Sequence, residues 1–308
     1  MKRFGIDLKG IEFDTMIAAH LLNPNARSYK LDNLSLAHVN YKMVPIKDLI
    51  GVGKNQITMD QVLLDDISFY AAEDADVVIE LTEIFMKDLK KQKLFNYFKS
   101  IEIDLLPVLI DMQFNGIFID KDYLENRSNE IGKKIESLES EIIDLAGEEF
   151  NLNSSQQLAV ILFDKLKLPM IKKRSTAEAV LSELKDKHPL PELILSYRKL
   201  YKLKNTYLDP LPSYIIADTQ RVHSSFNQTM TATGRLSTSS PNFQNIPIRT
   251  EDGKEIRKAI KAQSNEYQIF SADYSQVELR VMAHLSGDES LISALNNGED
   301  IHTFTAKN

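Results

Sequence analysis

The chain has 308 residues, of which 43% are hydrophobic and 26% charged, a composition typical of a globular protein with two or three domains. It contains no cysteine, which excludes disulfides and thiolate metal sites and suits a reducing compartment such as the cytoplasm. No apolar run reaches the length of a membrane span, and a net charge of −7 argues against a uniformly basic nucleic-acid binder.

The charge is unevenly distributed along the chain. Residues 171–235 carry 11 Lys and Arg against 6 Asp and Glu, a local surplus of +5. A basic middle in an acidic chain is compatible with a DNA-tracking surface beside carboxylate metal sites. A solvated helical surface explains the same charges, so both interpretations stay open on composition.

Helical patterns dominate the first part of the chain. Residues 63–89 form one long helical pattern with an acidic centre. Asn115 and Gly116 end a helix that starts near residue 101, and residues 117–120 have the pattern of a short strand. The chain is therefore expected to alternate helices with a few short strands, with a partial sheet at each end.

Amphipathic helices continue through the middle. Apolar residues recur every three or four positions over residues 123–145, which predicts a helix about 35 Å long rather than a coiled coil. The run Asn153, Ser154 and Ser155 is expected to cap a helix over residues 156–166, and another helix is predicted over residues 193–203. From residue 221 onward the sequence is rich in Thr, Ser, Asn and Gln, which predicts strands and loops.

A polar segment follows, with the sequence TATGRLSTSSPNFQNIPIR over residues 231–249. It combines many uncharged hydrogen-bonding side chains with Arg235, whose planar fork of donors suits minor-groove acceptors. Side-chain amides in the same segment suit sugar or phosphate oxygens. An ordinary polar loop is the alternative when this segment is considered alone.

A second group of residues surrounds Asp273. The apolar run from Tyr267 to Phe270 predicts a strand, and Val277, Val281 and Leu285 then recur on one face of a predicted helix. A carboxylate at the mouth of a strand is held in place by the sheet while its oxygens face open space. This arrangement predicts a site for a divalent cation.

Together the two segments resemble family A DNA polymerases of the bacterial type. TATGRLSTSSPNFQNIPIR is similar to the first palm segment of that family, and DYSQVELRVMAHLS, which begins at Asp273, is similar to its motif A. The resemblance implies a cytoplasmic monomer without a membrane partner. It also implies that primer–template DNA and dNTPs are bound, and that two Mg²⁺ ions serve nucleotide addition in replication and repair.

The resemblance assigns roles to individual residues. Asp273 is the implied catalytic carboxylate, and it is expected to bind Mg²⁺ together with the backbone carbonyl of Tyr274. The other implied nucleotide-binding residues are Tyr274, Gln276, Glu278 and His302. The implied DNA contacts are Arg235, Asn242, Gln244 and Asn245 near the primer terminus, and Arg198, Lys202 and Lys204 in the helical region. Alternatively, Glu278 is a helix-surface carboxylate and His302 a solvated side chain.

Residues 1–97 resemble the C-terminal part of the family's 3′–5′ exonuclease domain. Asp14 falls in its second motif, and Tyr70 and Asp74 in its third, at the i and i+4 spacing that places them on one helix face. Tyr70 can then orient a water while Asp14 and Asp74 hold a metal. An N-cap is the alternative role for Asp14. Since the first motif is not found near the N-terminus, this part is expected to be inactive as an exonuclease.

The implied organisation has three parts: an exonuclease remnant over residues 1–97, a thumb over 98–220 and the first part of the palm over 221–308. The predicted fold class is α+β, mainly helical, with a partial RNase H-like exonuclease domain, a helical thumb and a partial palm sheet. The fingers and the second palm carboxylate are expected beyond residue 308, so the chain alone is expected to add nucleotides poorly or not at all. A non-catalytic primer–template-binding module and a nuclease-like scaffold for protein partners are the competing functions.

Overall fold

The computed structural model describes residues 2–247 and 251–299, except for the side chains of Arg3, Glu251 and Asp252. The chain divides into two compact units, residues 1–261 and residues 262–308. Among the described residues, no helix has both the length and the apolar character that crossing a membrane requires.

The N-terminal part of the first unit is built around one long helix. The helices are α1 (Thr15–Leu22), α2 (Leu31–Leu34), α3 (Ile46–Ile50), α4 (Leu64–Lys91) and α5 (Phe95–Tyr97). In α4, four apolar residues at every fourth position form the buried stripe that packs against α1: Val77, Leu81, Phe85 and Leu89. The helix predicted over residues 63–89 is thus confirmed.

The sheet expected at this end is not formed by the described residues 2–97, where no strand occurs. The apolar pieces near the N-terminus, Phe4, Ile6 and Leu8, are exposed instead. A strand needs a neighbour for its backbone hydrogen bonds, and these pieces have none within that range.

Residues 104–208 form a helical assembly around α7. The helices are α6 (Asp104–Asn115), α7 (Lys121–Ala146), α8 (Ser155–Ala159), α9 (Glu178–Leu184) and α10 (Leu190–Leu203), and α8 and α10 continue into π-helical turns over Val160–Lys165 and Lys204–Leu208. Helix α7 packs against α10 around a core that includes Ile131, Ile135 and Tyr197. The predicted amphipathic helix and the Ser154 cap, which accepts from the Gln157 amide, are confirmed.

Two small antiparallel sheets join these helices to the polar segment. Strand β3 (Arg221–Val222) lies between β1 (Ile117–Phe118) and β2 (Ile215–Ile216), and β4 (Ser225–Asn227) pairs with β5 (Ser237–Ser239). In register, Ile117 is opposite Val222, and Phe226 is opposite Thr238. Helix α11 (Glu251–Arg257) follows. The predicted α+β, mainly helical fold is confirmed.

The second unit contains α12 (Val277–Ser286) and α13 (Glu289–Asn296). The helix predicted after Asp273 is confirmed, and the apolar face that its periodicity marks is exposed. Val281 is 51% exposed and Leu285 79% exposed, whereas Ala283 is buried against α13. Helix α12 therefore buries the face that contains Ala283, not the face that contains Val281 and Leu285.

The strand predicted over residues 267–270 was wrong for the described chain. No strand occurs among residues 262–299, and Ile269 and Phe270 are 60% and 89% exposed. An apolar run becomes a strand only where a second strand accepts its backbone hydrogen bonds, and these residues supply no such partner.

Candidate nucleic-acid interface

The polar segment that follows β4 is held in one shape by its own hydrogen bonds. The Thr231 hydroxyl donates to the Arg235 carbonyl at 2.6 Å, which closes a turn in which Gly234 takes a left-handed φ of +76°. Arg235 leaves this turn as an exposed side chain, two residues before β5. The turn therefore fixes the backbone position from which the guanidinium extends.

Two of the predicted DNA-contacting amides also brace the segment. The Asn242 side-chain oxygen accepts from the Gln244 backbone amide at 2.9 Å and from the Thr238 hydroxyl at 3.1 Å. The Gln244 side chain accepts from the Thr238 amide at 3.0 Å and donates to the Leu236 carbonyl at 2.8 Å. Both residues are still exposed, so their first role is to set the shape of a surface segment.

The segment is attached to the helical part through Asn245. The buried Tyr207 donates its hydroxyl proton to the Asn245 carbonyl at 2.6 Å. Because Tyr207 belongs to the turn that continues α10, this bond ties the polar segment to the helix that carries Arg198 and Lys202. The Asn245 side chain is exposed beside that attachment.

The three predicted cations of the helical region have different surroundings. Arg198 donates to the Thr176 carbonyl at 2.5 Å and to its hydroxyl at 3.2 Å, and burial lowers the pKa of its guanidinium. Lys204 donates to both oxygens of Asp209, at 2.9 and 3.0 Å, and to the Ser128 hydroxyl at 2.6 Å. Lys202 is exposed and makes no ion pair within the described chain.

These contacts rank the cations by their availability to an anionic ligand. Lys202 lies with Lys185 and Lys199 on a groove of about 650 Å³ between α9 and α10, which extends to Pro247. A phosphate contact from Lys204 has to compete with Asp209, whose carboxyl pKa is lowered by hydrogen bonds from Ser128 and Lys204 against an opposing effect of burial. Lys202 is the better placed of these two cations for a backbone phosphate.

Asp273 lies in an exposed loop of the second unit, directly before α12. Gln276, the N-cap of α12, takes a left-handed φ of +53°, and the Arg280 guanidinium donates to the Ser275 carbonyl at 3.0 Å. Tyr274 is 83% exposed. Glu278, in the first turn of α12, is exposed too. The loop is thus shaped by local bonds, and its carboxylate faces solvent.

The oxygen donors around Asp273 suit a hard divalent cation. A carboxylate and a backbone carbonyl are the ligand types that Mg²⁺ takes, and this ion usually keeps several waters. Within residues 2–247 and 251–299, however, no three acidic or histidine side chains gather to form a metal site. Asp273 and the Tyr274 carbonyl thus supply the donor types that suit Mg²⁺, without further acidic or histidine ligands gathered beside them among the described residues.

The exonuclease-like residues lie in the N-terminal part of the first unit. Asp14 caps α1 by accepting the Ile17 amide at 2.9 Å, so the structural role considered for it is present. Tyr70 and Asp74 lie on α4, the helix against which α1 packs. Burial raises the pKa of the Asp74 carboxyl, and the neighbouring Glu73 raises it further. Burial and then Asp74 raise the pKa of Tyr70.

The raised pKa of Asp74 predicts a pH-dependent gain in stability for Asp74→Asn. The Asp74 carboxyl binds its proton more tightly in the folded state than in the unfolded state, where its pKa takes the ordinary value of 3.8. The free energy of unfolding of the wild type therefore decreases as the pH rises through the folded-state pKa. Asparagine has no carboxyl to ionise, so the Asp74→Asn variant does not undergo this decrease in stability. The free energy of unfolding should therefore be higher for Asp74→Asn at pH 7 and equal to wild type at pH 3, by urea titration.

The control is Asp76→Asn, an exposed position on the same helix. It should change the free energy of unfolding less than Asp74→Asn at pH 7. An equal gain from both substitutions would show that removing any negative charge from α4 is enough.

Several contacts had no signal in the sequence pattern. The buried Glu73 accepts from the Tyr41 hydroxyl at 2.8 Å and from the Val44 amide at 2.9 Å, which fastens the chain before α3 onto α4. His20 and Gln228 each make a hydrogen bond to a residue that is more than 100 positions away in the sequence. His302, which is predicted to bind the nucleotide, lies outside the described residues, as do the last two residues of the polar segment, Ile248 and Arg249.

Comparison with known proteins decides the family. A model of DNA polymerase family A matches residues 121–308, and a 3′–5′ exonuclease model matches residues 1–90. The chain belongs to family A of the DNA polymerases. It is 43% identical to the DNA polymerase I of Pseudomonas aeruginosa and 40% identical to that of Bacillus subtilis, each over 98% of this chain and 34% of the relative. The match to the Borreliella burgdorferi DNA polymerase I is 45% identical over 96% of this chain.

A solved structure of a polymerase domain is similar to this chain. The POL domain of Pol1 from M. smegmatis, in complex with DNA primer–template and dNTP, superposes with a TM-score of 0.84 at 33% identity, covering 98% of this chain and 50% of that one. The family A chain described here spans about a third of the length of the curated relatives that it matches.

Proposed function

We propose that this chain is part of a DNA-directed DNA polymerase that binds primer–template DNA and supplies one of the metal-binding carboxylates for nucleotide addition. The observation that carries the proposal is the braced segment over residues 231–247, which presents Arg235 and matches the family in sequence. The family relationship over residues 121–308 supports the assignment.

Arg235, the exposed amide side chains of Asn242, Gln244 and Asn245, and Lys202 form the proposed DNA-binding surface. Cationic side chains supply affinity for the phosphate backbone, and the bidentate geometry of arginine suits acceptors in the minor groove. Lys204 bonds to Ser128 and Asp209, and Arg198 bonds to the carbonyl and hydroxyl of Thr176. These bonds suit both cations to hold α10 and the turn after it in place and to add a longer-range positive charge. Their direct DNA contacts are proposed as the weaker ones.

Asp273 and the Tyr274 carbonyl are the proposed magnesium ligands. When bound in such a site, Mg²⁺ lowers the pKa of a hydroxyl nucleophile and neutralises charge on a triphosphate. Gln276, Glu278 and His302 are the proposed contacts of the incoming nucleotide. Within this chain, the carboxylate of Asp273 binds the cation, and Glu278 on the first turn of α12 excludes a ribose 2′-hydroxyl by its bulk and charge.

The exonuclease part is proposed to be inactive as it stands. Asp14 and Asp74 supply two carboxylates, and a two-metal hydrolytic site needs more ligands than these. The proposed organisation is an exonuclease remnant over residues 1–97, a thumb over 98–220 and a palm portion over 221–308. We also propose a monomer in the cytoplasm, with which the absence of cysteine agrees.

The experiment that tests this function measures binding and chemistry separately on the 308-residue chain. Fluorescence anisotropy with a labelled primer–template should give tighter binding than a blunt duplex or a single strand of the same length. Primer extension with dNTPs and Mg²⁺ should be absent or at trace level. Equal affinity for all three DNAs would contradict primer–template recognition, and a failure to bind any of them would favour a protein-interaction scaffold.

A further inference from the structure

A buried histidine connects the exonuclease-like helix α1 to the segment that carries Arg235. His20 lies in the last turn of α1 and is 8% exposed. Its Nε2 atom is 3.0 Å from the backbone oxygen of Thr231, 211 residues further along the chain. Because a carbonyl oxygen only accepts, the Nε2 atom carries a proton and donates this bond.

The ring of His20 is held in the orientation that this bond requires. Tyr29 packs edge-on against it, with ring centroids 5.2 Å apart and planes at 84°. The Tyr29 hydroxyl in turn donates to the carbonyl of Asn23, the C-cap of α1, at 2.8 Å. The donor is therefore fixed by the end of its own helix and has little freedom to follow a moving acceptor.

Thr231 is also the residue at which the Arg235 turn closes. Its hydroxyl donates to the Arg235 carbonyl at 2.6 Å, and its own carbonyl lies 3.4 Å from the Gly234 amide. The carbonyl that His20 holds thus belongs to the turn from which Arg235 extends. Any shift of that peptide group moves the base of the Arg235 side chain.

A second contact attaches the chain just before this turn. Gln228, which is 9% exposed, donates from its amide nitrogen to the Glu102 carboxylate at 2.7 Å and to the Glu102 carbonyl at 3.1 Å. Glu102 belongs to the π-helical turn over Phe98–Ile103, which packs against α1. Because these two bonds hold Gln228 in place, the His20 bond determines the backbone path from Gln228 to Thr231.

We propose that His20 is a positioning residue for DNA binding: its hydrogen bond to Thr231 sets the geometry of the Arg235 turn from the exonuclease side of the chain. The inference rests on the proposed DNA contact of Arg235. A histidine that merely satisfies a buried polar requirement would stabilise the fold without affecting how Arg235 meets DNA.

The test compares two amide replacements in the 308-residue chain. His20→Gln places a donor nitrogen near the position of Nε2, whereas His20→Asn is too short to reach the Thr231 carbonyl. His20→Asn should weaken primer–template binding about five- to tenfold, the change in equilibrium that follows from losing one buried hydrogen bond. His20→Gln should bind within about twofold of wild type.

A double-mutant cycle with Arg235→Ala separates positioning from general destabilisation. If His20 acts through Arg235, His20→Asn has no further effect on affinity in the Arg235→Ala background. The Gly234 amide should also exchange its hydrogen faster in free His20→Asn than in His20→Gln. This exchange measurement does not depend on DNA binding.

The outcomes distinguish this inference from the proposed function. Wild-type affinity in His20→Asn, with affinity lost in Arg235→Ala, overturns the inference and leaves the function intact. Additive losses in the double mutant also overturn it. An unchanged affinity in Arg235→Ala itself contradicts the proposed function instead. Equal losses in His20→Asn and His20→Gln would assign His20 to packing alone.

Discussion

Replacing Arg235 by alanine is expected to weaken primer–template binding by the 308-residue chain about 10- to 100-fold. A bidentate, charge-assisted arginine contact contributes about 1–3 kcal/mol, and the exposed guanidinium extends from a turn that is already ordered before DNA arrives. Anisotropy titrations at several salt concentrations should also show the slope of log K against log salt becoming shallower by about one.

The matched control for Arg235→Ala is Lys91→Ala, which removes the same charge at the exposed end of α4. It should change affinity less than about twofold at physiological salt. If Lys91→Ala and Arg235→Ala weaken binding equally, the affinity for DNA depends only on the net charge of the chain, and the braced segment has no special role.

A large loss of stability is expected for Gly116→Ala. Gly116 ends α6 with a φ of +61°, and an added Cβ would lie 2.7 Å from the Val222 carbonyl oxygen and 2.9 Å from the His223 ring. With a ψ of −174°, this backbone lies in a region essentially restricted to glycine, where a side chain costs at least about 1 kcal/mol, and the clash with strand β3 adds about 1–3 kcal/mol. We expect the free energy of unfolding to fall by about 2–4 kcal/mol in urea titrations.

Gly147→Ala measures the cost of a positive φ without a steric contact, in a left-handed helical backbone with a ψ of 8°. Gly147 follows α7 with a φ of +74°, and nothing lies within 4 Å of the Cβ that alanine would add. This substitution should therefore cost about 1 kcal/mol. If the two alanine variants lose the same stability, the contact between Gly116 and the β3 region does not matter for the fold.

Periodicity was enough to predict the helices, since the stripes of α4 and α7 are visible in the sequence itself. It was not enough for residues 267–270, because a strand depends on a second strand that periodicity cannot reveal. Periodicity also does not reveal which face of α12 is buried. Which face is buried depends on the neighbour, and α13 contacts Ala283 rather than Val281.

The sequence indicated candidate site residues but not the contacts that those residues make. The family pattern identified Arg235 and Asp273, whereas the bracing roles of Asn242 and Gln244 depend on bonds within a folded segment. Lys204 has an acidic partner five residues away, which a sequence allows but does not require. His20 had no signal, because its partner is the backbone of a residue 211 positions away.

The role of Asp273 is tested most directly by the rate of nucleotide addition in a chimera. Residues 1–308 would replace the matching third of the Pseudomonas aeruginosa DNA polymerase I, with Glu266→Ala as the control at a nearby exposed carboxylate. Single-turnover primer extension with Mg²⁺ should fall at least about 1,000-fold in Asp273→Ala, since losing a metal ligand costs several kcal/mol of barrier, and stay unchanged in Glu266→Ala. An Asp273→Ala chimera that extends primers at the unsubstituted rate would contradict the assignment.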